Sequence, residues 1–168
     1  VKTSITPYGF NHLQRARLTF KSSVYLFNVN RGGELSSEDM VFRIMSKPVF
    51  KAEASDKVIH VLELMAEKGV GSIVIVKDDR PVGILTERDI VKKIVKDRST
   101  LDKKVEAVMS KPLITVTPET GVFEALNLMR KNKIRRLPVV SDGKLEGIVT
   151  DKDLLSWVLR MAYTPYPT

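Results

Sequence analysis

One seven-residue motif occurs twice and carries most of the chain's chemical interest. Glycine, two apolar residues, threonine, two variable residues and aspartate stand at 83–89 and again at 147–153. A threonine three residues ahead of a carboxylate, at the start of a helix, is close to a capping box, with Asp replacing the usual Glu or Gln. The same arrangement serves a ligand. A helix N-terminus offers free amides and partial positive charge to a phosphate, and the threonine hydroxyl joins them. A carboxylate one turn further in accepts hydrogen bonds from vicinal ribose hydroxyls, and the leading glycine allows close approach. Capping and ligand binding are thus both open for Thr86, Asp89, Thr150 and Asp153.

The second candidate is cationic, Lys133-Ile134-Arg135-Arg136-Leu137-Pro138. On an extended strand Arg135 and Arg136 point to opposite faces, so at most one enters a given cleft directly. The other repeat has Gly71-Ser72 at the matching positions, so the charge differs between otherwise similar scaffolds. Arg88 and Lys152 fall just inside helix starts, where a cation is unfavourable unless an anion is near; a phosphate close to both is the functional reading. Nothing points to catalysis. The two histidines are His12, in an irregular stretch, and His60, read as a surface helix residue, and no metal-ligand or nucleophile constellation accompanies them. The expectation is a non-enzyme without a cofactor.

The elements that must position these residues come from an internal repeat. At an offset of 64, residues 41–91 align with 105–155 without a gap, and fifteen of the 51 paired positions are identical. Met45-Ser46-Lys47-Pro48 falls on Met109-Ser110-Lys111-Pro112, and Leu64-Met65 on Leu128-Met129. Each repeat predicts strand, helix, strand, strand, helix. The strands are expected at 49–52, 72–76 and 81–85, then at 113–116, 137–140 and 145–149. Val58, Leu62, Met65 and Ala66 form the apolar stripe of one helix, and Val122, Ala125, Leu126 and Met129 that of its counterpart. Pro81 belongs at the start or edge of its strand, and Asp142-Gly143 marks a hairpin. The last helices begin near Glu87 and Asp151. Each repeat alone is near the lower size limit for stability, so the two should share a core. The fold class is α/β (α+β), with two tandem β-α-β-β-α units in pseudo-two-fold relation.

Length and charge bound the rest. The chain has 168 residues, a formal charge of +8 and no cysteine. Disulfides and thiolate chemistry are excluded, and a cytoplasmic location is expected. No apolar run approaches the roughly 18 residues of a membrane span, and no signal-peptide pattern is seen. Half of the net charge lies in residues 1–36, where Lys2, Arg15, Arg17, Lys21 and Arg31 face only Glu34. That segment reads as a loosely attached extension or a nucleic-acid-binding arm, with a strand or two around Leu18, Phe20, Val24, Leu26 and Val29. The organisation expected is an extension at 1–36, repeats at 37–98 and 99–162 joined by the polar stretch 97–102, and a tail at 163–168.

In order and twice over, the Met-Ser-Lys-Pro turn, the helix ending at Met65 or Met129 and the Gly-Ile-Leu/Val-Thr-x-x-Asp motif resemble a tandem pair of CBS (cystathionine-beta-synthase) domains, a Bateman module. The Arg-Arg-Leu-Pro-Val strand of the second repeat adds to the likeness, which covers about 37–161. The resemblance implies sensing of AMP, ADP, ATP or an S-adenosylmethionine-like ligand in two clefts between the repeats. It also implies homodimerisation through the helices and signalling to an effector protein. Carried over by motif, the first cleft takes Thr86, Arg88 and Asp89, with Leu113 and Ile114 around the base and Arg135, Arg136 and Lys152 on the phosphates. The second takes Thr150 and Asp153, opposite Val49, Phe50, Gly71 and Ser72. It lacks the arginine pair and gains the bulk of Phe50, so tighter binding is expected in the first. A nucleic-acid binder using the basic extension and a dimerisation adaptor with empty clefts are the alternatives.

Overall fold

The computed structural model describes residues 39–163; the readings made for 1–36 and for 164–168 lie outside the described residues. The first repeat comprises Lys51–Glu53 (β1), Val58–Lys68 (α1), Ser72–Lys77 (β2), Arg80–Thr86 (β3) and Glu87–Asp89 (α2), which runs on as a π-helical turn, Ile90–Ile94. The second comprises Val122–Asn132 (α3), Arg136–Ser141 (β4), Lys144–Thr150 (β5) and Asp151–Tyr163 (α4). A 3-10 turn, Arg98–Asp102, joins them, its start capped by the Asp97 carboxylate, which accepts from the Ser99 amide at 3.0 Å.

In the first repeat β1 runs parallel to β2, and β2 pairs antiparallel with β3. Pro81, with no N–H to donate, is the second residue of the outer strand β3, as expected. Both hairpins turn through two residues of positive φ, Asp78 and Asp79 (52° and 58°) and Asp142 and Gly143 (49° and 76°), as the twist of the flanking strands requires. The buried face of α1 is Val58, Val61 and Met65; Leu62 is only partly buried and Ala66 is exposed, so the stripe lies one position round from the expected one. In α3 the buried residues are Val122, Ala125 and Met129, with Leu126 partly covered. His60 is exposed.

One expected strand is missing. Residues 113–116 make only an isolated bridge, Val116 to Val139, while β4 and β5 pair alone. The cause is two prolines, Pro118 and Pro138. In the first repeat the Val74 amide donates to the Phe50 carbonyl at 3.2 Å. The equivalent residues are Pro138 and Ile114, and the Ala54 amide, which donates to the Val76 carbonyl at 2.8 Å, has Pro118 as its equivalent; proline has no amide hydrogen, so neither rung can form.

The repeats share their core by exchanging the segments that precede them. Val41 and Phe42 donate to the carbonyls of Thr120 and Pro118 at 2.9 and 3.0 Å, and Ser46 exchanges backbone hydrogen bonds with Ile148 of β5 at 2.8 and 3.2 Å. Symmetrically, Val105 and Glu106 donate to Asp56 and Ala54, and Ser110 exchanges hydrogen bonds with Ile84 of β3. Val105, Val108 and Met109 are accordingly buried in the first repeat's core beside Val58, Ile73 and Leu85. The repeated glycines serve this exchange. A Cβ on Gly83 would lie 2.3 Å from the Met109 sulfur, and one on Gly147 2.5 Å from that of Met45. The close approach anticipated for a ligand is made here by methionine.

Candidate functional site

The exchange brings the start of the first repeat's terminal helix against the approach to β4. Between them lies a cavity of about 400 Å³, within the range of small-molecule sites. Thr86, Arg88 and Asp89 line it from the first repeat, and Leu113, Ile114, Arg135 and Arg136 from the second. Seven of the eight residues expected in the first cleft are thus brought together; Lys152 is exposed and lies outside this lining.

Asp89 is the most constrained of them, only 6% exposed. One carboxylate oxygen accepts from the Thr86 amide and hydroxyl at 3.1 and 2.7 Å, and the Thr86 hydroxyl accepts from the Asp89 amide at 3.4 Å. The capping box is therefore real, and it also fixes the carboxylate. The other oxygen accepts from the Ser110 hydroxyl at 2.7 Å and pairs with the Lys93 ammonium at 3.1 Å. Burial works to raise the acid's pKa; hydrogen bonds from Thr86, Ser110 and Lys93 outweigh it and hold Asp89 below its ordinary 3.8. Lys93 also donates to the carbonyl oxygen of Val108 at 2.7 Å. It thereby ties the π-helical turn to the segment leading into the second repeat.

Arg88 has a local partner for its awkward position. Its guanidinium crosses to the Lys133 carbonyl at 3.1 Å, at the C-terminal end of α3, where a cation is favourable. Lys133 itself caps α3 in the left-handed region, φ 54°, where the first repeat has Gly69 at φ 61°. Both arginines line the cavity, where only one was expected, because β4 begins at Arg136 and Arg135 precedes the strand; Arg136 reaches Glu87 at 3.5 Å. The space for this contact comes from Gly71, whose Cβ would meet the Arg136 guanidinium at 2.4 Å and the Glu87 carboxylate at 2.7 Å.

The second cleft is built differently. Thr150 and Asp153 form the same pair, with the Asp153 carboxylate accepting from the Thr150 amide and hydroxyl at 2.8 and 2.7 Å. Phe50 packs against the first repeat's core, and Gly71 accommodates Arg136. Where Lys93 lines the first cleft, the equivalent Trp157 is buried and stacks edge-on against Phe123, ring centres 5.9 Å apart. A separate groove of about 690 Å³ contains Val49, with Lys47 paired to Glu146 at 3.5 Å and Lys51 to Asp79 at 2.9 Å. Phe50, Gly71, Ser72, Thr150 and Asp153 line neither this groove nor the first cavity.

Lys92, Lys93, Ser110 and Lys133 also line the first cleft without having been expected there. Ser110 carried a readable signal, because its motif repeats. Lys93 aligns with a tryptophan; its i,i+4 spacing from Asp89 was readable, but its bond to Val108 depends on the lead-in to the other repeat.

A family model described as CBS domain matches residues 41–96 and 105–160. A protein of Methanopyrus kandleri is 42% identical over 118 residues, 68% of this chain and 60% of that protein. The mitochondrial CBS domain-containing protein CBSX3 of Arabidopsis thaliana is 40% identical over 110 residues, 62% of this chain and 53% of that protein. The chain thus spans little more than half the length of these relatives. The inosine-5'-monophosphate dehydrogenase of Thermoplasma acidophilum matches at 38% over 94 residues, 55% of this chain but only 18% of that enzyme. Among solved structures, the CBS domain pair of MJ0100 in complex with 5'-methylthioadenosine and S-adenosyl-L-methionine superposes with a TM-score of 0.65 at 27% identity, covering 73% of this chain and 97% of that one. A hexameric CBS-CP12 protein from bloom-forming cyanobacteria gives 0.66 at 29%, covering 76% of each.

Proposed function

The chain belongs to the CBS-domain family as a tandem pair, and from that premise we propose that it is a regulatory module sensing an adenosine nucleotide in the first cleft. The observation that carries this reading is the meeting of Thr86 and Asp89 with Leu113, Ile114, Arg135 and Arg136 around one cavity. The Asp89 oxygen shared by Ser110 and Lys93 receives the ribose hydroxyls, which displace one or both of those partners. Leu113, Ile114 and Pro138 flank the base, and the Ile114 carbonyl, deprived of a rung by Pro138, accepts its exocyclic amino group. Arg135 and Arg136 meet the phosphates. Structures binding 5'-methylthioadenosine and S-adenosylmethionine on the same fold support the nucleoside half of this reading.

The signal is a population shift. A ligand drawing Lys93 from Asp89 loosens its hold on the Val108 carbonyl, and with it the lead-in to the second repeat. An effector protein reads the rearranged module. Self-association supplies the surface: Val91 and Val95 are 65% and 67% exposed, and their equivalents Leu155 and Leu159 56% and 49%. These matched pairs on the two terminal helices suit a homodimer.

A thermal-shift series with AMP, ADP, ATP and S-adenosylmethionine tests the proposal. At least one should raise Tm by several degrees in nucleotide-stripped protein, Asp89→Ala should abolish the response, and Arg136→Ala should weaken it. Stripped wild type that answers to none of them, with calorimetry equally silent, removes the sensor reading.

A further inference from the structure

We propose that the cleft discriminates within adenosine ligands, selecting those with two or more phosphates over monophosphates and over thioether or sulfonium nucleosides. This rests on the nucleotide reading above. Six cations line the cavity, Arg88, Lys92, Lys93, Lys133, Arg135 and Arg136, against one carboxylate, Asp89. Two of the six are already neutralised, Lys93 by Asp89 at 3.1 Å and Arg136 by Glu87 at 3.5 Å. Arg88 donates to a carbonyl oxygen, which leaves its charge unbalanced and other guanidinium N–H groups free for an anion. No ion pair among the described residues includes Lys92, Lys133 or Arg135. Four uncompensated cations therefore converge on about 400 Å³.

Holding them there costs the protein. Lys133 sits at φ 54°, a conformation its equivalent meets with Gly69. A single terminal phosphate brings a charge of about −2 and leaves half of this excess unmet. A diphosphate or triphosphate brings about one or two charges more. A sulfonium ligand adds positive charge where positive charge is already in excess. The groove around Val49 shows the contrast, for two of its three lysines are paired with its two carboxylates.

Titration calorimetry on nucleotide-stripped protein separates the outcomes, using ATP, ADP, AMP, 5'-methylthioadenosine and inorganic tripolyphosphate, in EDTA and at two salt concentrations. ATP and ADP should bind at least about 10-fold tighter than AMP and about 100-fold tighter than 5'-methylthioadenosine, with both gaps narrowing at high salt. Lys92→Ala and Arg135→Ala should each cost about 10-fold in ATP affinity and leave 5'-methylthioadenosine within about 2-fold. AMP or 5'-methylthioadenosine binding as tightly as ATP overturns the phosphate preference and leaves the nucleotide reading standing. Tripolyphosphate binding as tightly as ATP does the reverse: the anion preference survives and nucleoside recognition fails. Silence from every ligand sinks both. The wild-type series decides the matter even if a variant does not fold.

Discussion

Lys133 holds a position where conformation and chemistry pull in opposite directions. A non-glycine residue at φ 54° costs about 1 kcal/mol relative to glycine, yet its ammonium lines the cleft. Lys133→Gly should therefore raise the urea midpoint, by about 1 kcal/mol in stability, while weakening nucleotide binding several-fold. Equal losses in both would mean that the residue is structural only. Asp89 invites a pH experiment. Its folded pKa is depressed, so its stabilising contribution is present above the ordinary value of 3.8 and is lost as pH falls through the lower folded value. Asp89→Asn should cost about 2 kcal/mol at neutral pH and flatten the acid limb of stability below about pH 4, seen by denaturant titration at stepped pH. An unchanged acid limb would show that the carboxylate is not held as described. The Thr-Asp motif was legible as a cap and as a ligand holder, and the cap is plainly there. What the sequence hid was that Ser110, from the lead-in to the other repeat, and Lys93, one turn further along the same helix, already occupy the carboxylate.

The hairpins and helices could be read locally, because turn residues and apolar spacing determine them within a few positions. The strand at 113–116 could be judged only in part, because one of its missing amides, Pro118, lies beside it in sequence while the other, Pro138, lies on a strand that is adjacent in space and not in sequence. Gly83 and Gly147 mislead for the same reason: their neighbours Met109 and Met45 come from the opposite repeat. Gly83→Ala should thus destabilise by about 1–3 kcal/mol through overpacking, and the double variant with Met109→Ala should cost less than the sum of the two single changes. Additive losses in a double-mutant cycle would rule out the contact. The π-helical turn was equally invisible, since residues 90–94 carry an ordinary helical pattern; it adds one residue to the turn that presents Lys92 and Lys93.

Across the whole chain, duplication was the most legible feature, and pseudo-two-fold pairing of apolar residues follows from it. If the proposed homodimer uses these residues, Val95→Glu with Leu159→Glu should shift it toward monomer in light scattering, without loss of helical signal. A dimer that survives both charges would place its interface elsewhere.

The exchanged lead-in segments also decide what a break in the chain would do. Each repeat holds a stretch of its partner's backbone as one of its own ladders, so neither is a closed folding unit. Split between Asp102 and Lys103 and expressed as two fragments, the protein should reassemble by complementation into a noncovalent heterodimer. In the Val95→Glu, Leu159→Glu background, where self-association is removed, the melting temperature of the split protein would rise with concentration and that of the unbroken chain would not. The peptide joint thus acts as a tether setting an effective concentration, and the integrity of the fold depends on mutual capture.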